Sequence, residues 1–158
     1  MEIDAFLADS AESVQGKIYA LGIGWNTIFT SQFPTVHPRI AVGVTIHVPY
    51  TATNQMHKIV LHLETPDGEK FALGMQPSVS DDAPPTPLYE LQGNFNVGRP
   101  PILVPGDEQV VALAMVIDQI QFETPNVYTW VLSIDGTPMK RLPMRVQYLA
   151  QISPVMGG

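Results

Sequence analysis

A chain of 158 residues with a net charge of −7, 45% hydrophobic and only 15% charged residues, can bury a core without a metal or disulfide staple. Eight basic against fifteen acidic side chains argue against nucleic acid, which is bound by displacing counterions with Lys and Arg, and against anionic membrane. The absence of cysteine rules out disulfides, thiolate metal sites and cysteine nucleophiles.

Fifteen prolines and twelve glycines cut the chain into short segments, the pattern of an all-β fold. The opening "MEIDAFLADSAE" is acidic and has no basic stretch followed by an apolar one, so it does not read as a leader. No apolar run approaches membrane-spanning length, and the expected location is cytoplasmic. Ile3, Phe6, Leu7 and Val14 fit a helical stripe, but Ile3, Ala5 and Leu7 fit a strand face. A strand over Glu2 to Asp9, ending in a Ser/Glu turn, is preferred.

The next strand is Lys17 to Ile23, closing in Gly22-Ile23-Gly24. A dinucleotide fingerprint needs a third glycine at the position of Thr27 and a following helix. "NTIFTSQFP" is poor helix material, so the glycines mark a bend and Trp25 a core anchor beside it. "RIAVGVTIHV", Arg39 to Val48, alternates strictly: Ile40, Val42, Val44, Ile46 and Val48 face one way, and Arg39, Ala41, Gly43, Thr45 and His47 the other. "HKIVLHLE" comes next with Ile59, Leu61 and Leu63 inward, and Asp67-Gly68 turns the chain into a short return strand, Lys70 to Leu73.

Pro77 to Pro87 is expected outside the sheets, since proline cannot donate to a ladder. "GNFNVGRPP" reads as a strand ending at Arg99-Pro100-Pro101. Glu108 to Ile117 is apolar on both faces, which calls for a strand covered on both sides or an edge that meets another subunit. Val127 to Gly136 points Tyr128, Trp130, Leu132 and Ile134 inward; Arg141 to Leu149 does the same with Leu142, Met144, Val146 and Tyr148; Ile134-Asp135-Gly136 joins them as a hairpin. The expected architecture is all-β: one domain over residues 1–158, a two-sheet antiparallel immunoglobulin-like sandwich of eight or nine strands with little helix.

The four histidines are His37, His47, His57 and His62. In hairpin register His47 would face Lys58, with His62 two pairs further on, too far apart to share a zinc ion. The acidic turns (Asp67, Asp81, Asp82, Asp107, Glu108, Asp135) lack the spacing of a calcium loop. Neither a metal nor a cofactor is expected. There is no Gly-x-Ser-x-Gly elbow and no Walker loop. "KRLPMR", Lys140 to Arg145, is the one basic cluster and reads as edge-strand protection or a grip for an acidic partner.

"DAFLADSAESVQGKIYALGIGW", "VGRPPILVPGDEQVVALAM" and "YTWVLSIDG" together resemble a family of small, mainly actinobacterial proteins known as a domain of unknown function. Ser10 stands where that family has alanine, and Ile23 interrupts its double glycine before Trp25. The resemblance implies a cytoplasmic all-β domain and carries no activity, cofactor or site. The leading expectation is a non-enzymatic protein acting through protein–protein contacts, with itself or another protein as partner. The alternative is a small-ligand binder with a pocket lined by Trp25, Tyr50, Tyr89 and Trp130. A hydrolase using His47 or His62 as base comes last. The residues singled out for an interface or pocket are Trp25, His47, His62, Tyr89, Arg99, Val111, Leu113, Met115 and Trp130.

Overall fold

The computed structural model describes residues 1–149; positions 150–158 of the expected domain lie outside them. The described chain is all-β, with thirteen strands and one three-residue 3-10 turn, Tyr50–Ala52. Among the described residues no helix is long and apolar enough to cross a membrane. The strands are β1 (Glu2–Ala8), β2 (Ser10–Val14), β3 (Lys17–Leu21), β4 (Thr27–Thr30), β5 (Thr35–Pro49), β6 (Met56–Glu64), β7 (Lys70–Phe71), β8 (Gly74–Gln76), β9 (Thr86–Leu88), β10 (Glu90–Asn96), β11 (Glu108–Phe122), β12 (Asn126–Ile134) and β13 (Thr137–Tyr148).

Two sheets enclose the core. One has the order β1-β5-β11, the other β10-β6-β12-β13-β4, with β7 also paired to β6. Ile40, Val42, Val44, Ile46 and Val48 of β5 meet Ile59, Leu61 and Leu63 of β6 and Tyr128, Trp130, Leu132 and Ile134 of β12 in a single buried cluster. This is the expected period-two burial of one face of each strand. The pairing is antiparallel throughout except between β4 and β13, which run parallel.

Two short hairpins complete the molecule, β2 with β3 and β8 with β9. They raise the strand count above the eight or nine expected. Ser10–Val14 is a strand rather than a turn, and Thr86–Leu88 pairs with Gly74–Gln76, so Pro87 sits within a ladder of two edge strands. The bend at Gly22 and Gly24 is present: both have positive φ (70° and 100°), and the chain runs on into strand β4, not a helix. A side chain at Gly22 would also collide with the Asp9 carboxylate, whose own backbone N–H donates to the Leu21 carbonyl at 3.0 Å.

The apolarity of β11 on both faces has an internal explanation. In the sheet order β11 is an edge. Val111, Leu113 and Met115 pack against the main core. On the opposite face Ala114 and Val116 pack with Ala8, Ala11, Ala41, Ile18 and Ala20, and the Ser13 hydroxyl of the β2–β3 hairpin donates to the Ala112 carbonyl at 2.7 Å. The hairpin thus covers this face around Ala112, Ala114 and Val116, as the reading of a strand covered on both sides expects, although β11 is an edge and Val110 stays 55% exposed. Of the basic cluster only Arg145 is paired with β4; among the described residues Lys140–Met144 pair with β12 alone, so this stretch of β13 has an open side, as an edge-strand reading expects. Tyr148, expected inward, is 55% exposed; it lies past the main core and meets Phe33 edge-on at 5.0 Å.

Candidate interaction surface

His47 and His62 do not share a hairpin. The Pro49–Met56 connection carries the chain from one sheet to the other, so β5 and β6 are not ladder neighbours. His47 is opposite Glu2 and Val110, and Lys58 is opposite Asn94. His47 Nδ1 lies 3.0 Å from Glu108. His62 donates through Nε2 to Glu64 at 2.9 Å, and Arg141 holds the other oxygen of that carboxylate at 3.0 Å. The His62 bond, followed by Arg141, keeps the Glu64 carboxyl below its ordinary range. Among the described residues no three His, Asp or Glu side chains are placed to hold a metal.

The four aromatic residues do not line one pocket. Trp130 is fully buried, with its indole N–H on the Met144 sulfur at 3.3 Å, so it is core and not surface. Trp25 lines an open pocket of about 250 Å³ with Phe6, Leu7, Leu142 and Pro143, and its buried Nε1 has no hydrogen-bond partner among the described residues. Tyr50 lies beneath the Arg99 guanidinium, 4.2 Å from the ring centre. Tyr89 lines an open groove of about 970 Å³ with Leu88, Glu90, Lys70 and Gln76.

Tyr89 and Arg99 flank β10, one beyond each end. This strand is the edge of the six-stranded sheet, and its inner side pairs with β6 from Glu90↔His62 to Asn96↔Met56. Leu91 and Phe95 turn to the core. At the groove end, Lys70 holds Glu90 at 3.0 Å and Gln92 donates to the same carboxylate at 2.6 Å. These bonds, Lys70 first, hold the Glu90 carboxyl below its ordinary range.

At the other end, Arg99 fastens the segment that leaves β10. Its Nε donates to the Thr53 hydroxyl at 2.7 Å and an Nη to the Tyr50 carbonyl at 2.9 Å. The Asn54 N–H reaches the Val97 carbonyl at 2.7 Å, and Gln109 reaches the Gly98 carbonyl at 2.7 Å. The Gly98–Asp107 loop is closed internally by Leu103 N–H to the Pro100 carbonyl at 2.9 Å and by Val104 N–H to the Asp107 carboxylate at 2.9 Å. Held in this way, it leaves Ile102 87% and Val104 55% exposed.

Behind Phe95 sits His57, only 5% exposed and stacked on that ring at 5.2 Å. Its Nε2 donates to the Ala52 carbonyl at 2.8 Å and its Nδ1 to Asp135 at 2.7 Å. Both neighbours act as acceptors, so the two bonds favour the imidazolium form, and the carbonyl bond, then the carboxylate, push its pKa up. Asp135 also accepts from the Lys58 N–H at 2.9 Å. His57 thus ties the Asp135-Gly136 turn to the Tyr50–Ala52 turn and supports the base of the Arg99 loop.

The model of a family of unknown function, DUF6941, matches residues 3–147. The chain belongs to that family. The matched span of this DUF6941 protein takes in β10, the Arg99 loop and all but the outermost residues of β1 and β13. A search of curated proteins finds no match. Ile102 and Gln109 on this surface, and the buried Thr53 and His57 that support it, were not among the residues singled out for an interface or pocket. Ile102-Leu103-Val104 between Pro101 and Pro105 was the available signal, since an apolar triplet that prolines keep out of a sheet must find another use.

Proposed function

We propose that this protein works by recognition rather than catalysis, binding other protein surfaces and associating with itself. The observation that carries the reading is Ile102, a large aliphatic side chain 87% exposed on a loop that Arg99, Asn54 and Gln109 hold in place. An apolar anchor fixed in advance loses little entropy on docking, which is how interface hot spots gain affinity. The other side chains weighed for chemistry are engaged elsewhere: His47 with Glu108 and His62 with Glu64. A bacterial cytoplasmic setting accompanies this reading, on the resemblance of the opening and Gly-Arg-Pro-Pro segments.

Sedimentation velocity tests it. Between about 1 and 200 µM the sedimentation coefficient should rise with concentration, as mass action requires of a self-associating chain. A single monomeric boundary over the whole range would overturn the self-association.

A further inference from the structure

We propose that two copies of this chain join edge to edge through β10, extending the six-stranded sheet across a two-fold axis at Gly93. The inference rests on the self-association proposed above and names its surface. Among the described residues, β10 pairs only with β6. No described hydrogen bond reaches the outward N–H and C=O groups of Glu90–Asn96. The outward groups of alternate residues along this seven-residue strand are a template for another strand, and sheets usually protect such an edge with Lys, Pro or a bulge. "ELQGNFN" has neither Lys nor Pro, and its register with β6 runs without a bulge. Other edges are shorter or engaged: β4 has four residues, β11 is touched by Ser13 of the β2–β3 hairpin, and β1 lies against β13.

A second copy fits because the strand reads alike in both directions. On either side of Gly93 stand an amide (Gln92, Asn94), an apolar residue (Leu91, Phe95) and a polar residue (Glu90, Asn96). Antiparallel pairing centred on Gly93 sets Gln92 against Asn94, Leu91 against Phe95 and Glu90 against Asn96. Directly opposed residues share a face, so the apolar pair continues the core side and the polar pairs the solvent side. No two like charges meet. Every residue is paired with one an even number of positions away, so outward backbone groups meet outward backbone groups.

Gly93 supports the same axis. Its φ is not in the left-handed region, and an added Cβ would meet only the Ile59 side chain at an ordinary 3.5 Å. The monomer therefore does not require glycine there, although glycine weakens a strand. At the self-opposed position of the axis, glycine leaves the two copies no side chains to oppose each other on the shared face.

The test is sedimentation of three proteins. The wild type should dimerise at high concentration. Gln92→Lys with Asn94→Lys opposes lysines across the axis on the solvent face, and should weaken association at least about tenfold, since like charges directly opposite are destabilising. Gln92→Glu with Asn94→Glu should do the same. An equimolar mixture of the two variants should restore the dimer, which also shows that both are folded. A dimer unchanged in the lysine variant, or a mixture that stays monomeric, overturns the β10 axis but leaves self-association standing. A wild type that is monomeric throughout overturns both.

Discussion

His57→Ala is expected to lower stability by about 3 kcal/mol, the loss of two hydrogen bonds from a charged donor together with the space its ring filled. The Ala52 carbonyl and the Asp135 carboxylate lose their shared donor, and Phe95 loses the ring stacked on it. The pH dependence gives the more specific result. The native pKa of His57 is raised, so its contribution is complete below the unfolded value of about 6.5 and fades as pH rises through the native value. The pKa of Asp135 is lowered, by His57 first and the Lys58 N–H second. Its contribution is complete above about 3.9 and fades as pH falls through the lower native value. The pKa of His37 is lowered by burial, so its effect has the opposite sign and disfavours the native state under acid. The difference between wild type and His57→Gln, measured by urea unfolding from acid to alkaline pH, isolates the pair. It should be largest between those two limits and shrink on either side. A difference independent of pH would show that His57 fills space and carries no charge.

Gly43→Val should destabilise by about 3 kcal/mol, at the upper end of what overpacking usually costs. Gly43 is directly opposite Phe6, and a Cβ at Gly43 would run into the Phe6 ring. The strand cannot shift to relieve the clash. β5 is the middle strand of its sheet, with Val42 and Val44 fully buried on either side of Gly43. Removing the obstacle should recover part of the loss, so Gly43→Val with Phe6→Ala should be less destabilised than the sum of the single variants. Thermal unfolding of the four proteins measures this, and strict additivity would contradict the contact.

Strands whose burial follows their own alternation were legible in the sequence. Ile40 to Val48, Ile59 to Leu63 and Tyr128 to Ile134 all form the core, and the Asp135-Gly136 turn is present with φ of 50° and 83°, as a two-residue hairpin turn demands. The strand β11 is legible only to Ile117 because Gln119 has a φ of 57°, opposite the gap at Pro38. The buried face then moves to Ile120 and Phe122, and the period of two is lost. The neighbour relation of β5 and β6 could not be read, since a short connection serves a hairpin and a crossover between sheets equally well. His47 was misplaced for that reason, and its true partner Glu108 is remote in sequence. Trp130 and Tyr89 illustrate the limit for the site. Both are aromatic residues in strand-like surroundings, and only the fold distinguishes the one in the core from the one at an open groove.

Amide hydrogen exchange of Glu90–Asn96, read at a concentration below dimerisation and again well above it, is the most direct test of an open, self-complementary edge. In the dilute sample the amides that face β6 should exchange slowly and those pointing outward should exchange fast. In the concentrated sample the outward amides should slow as well, while those of β4 and the β2–β3 hairpin should not change. Outward amides of β10 that exchange equally fast at both concentrations would contradict the account.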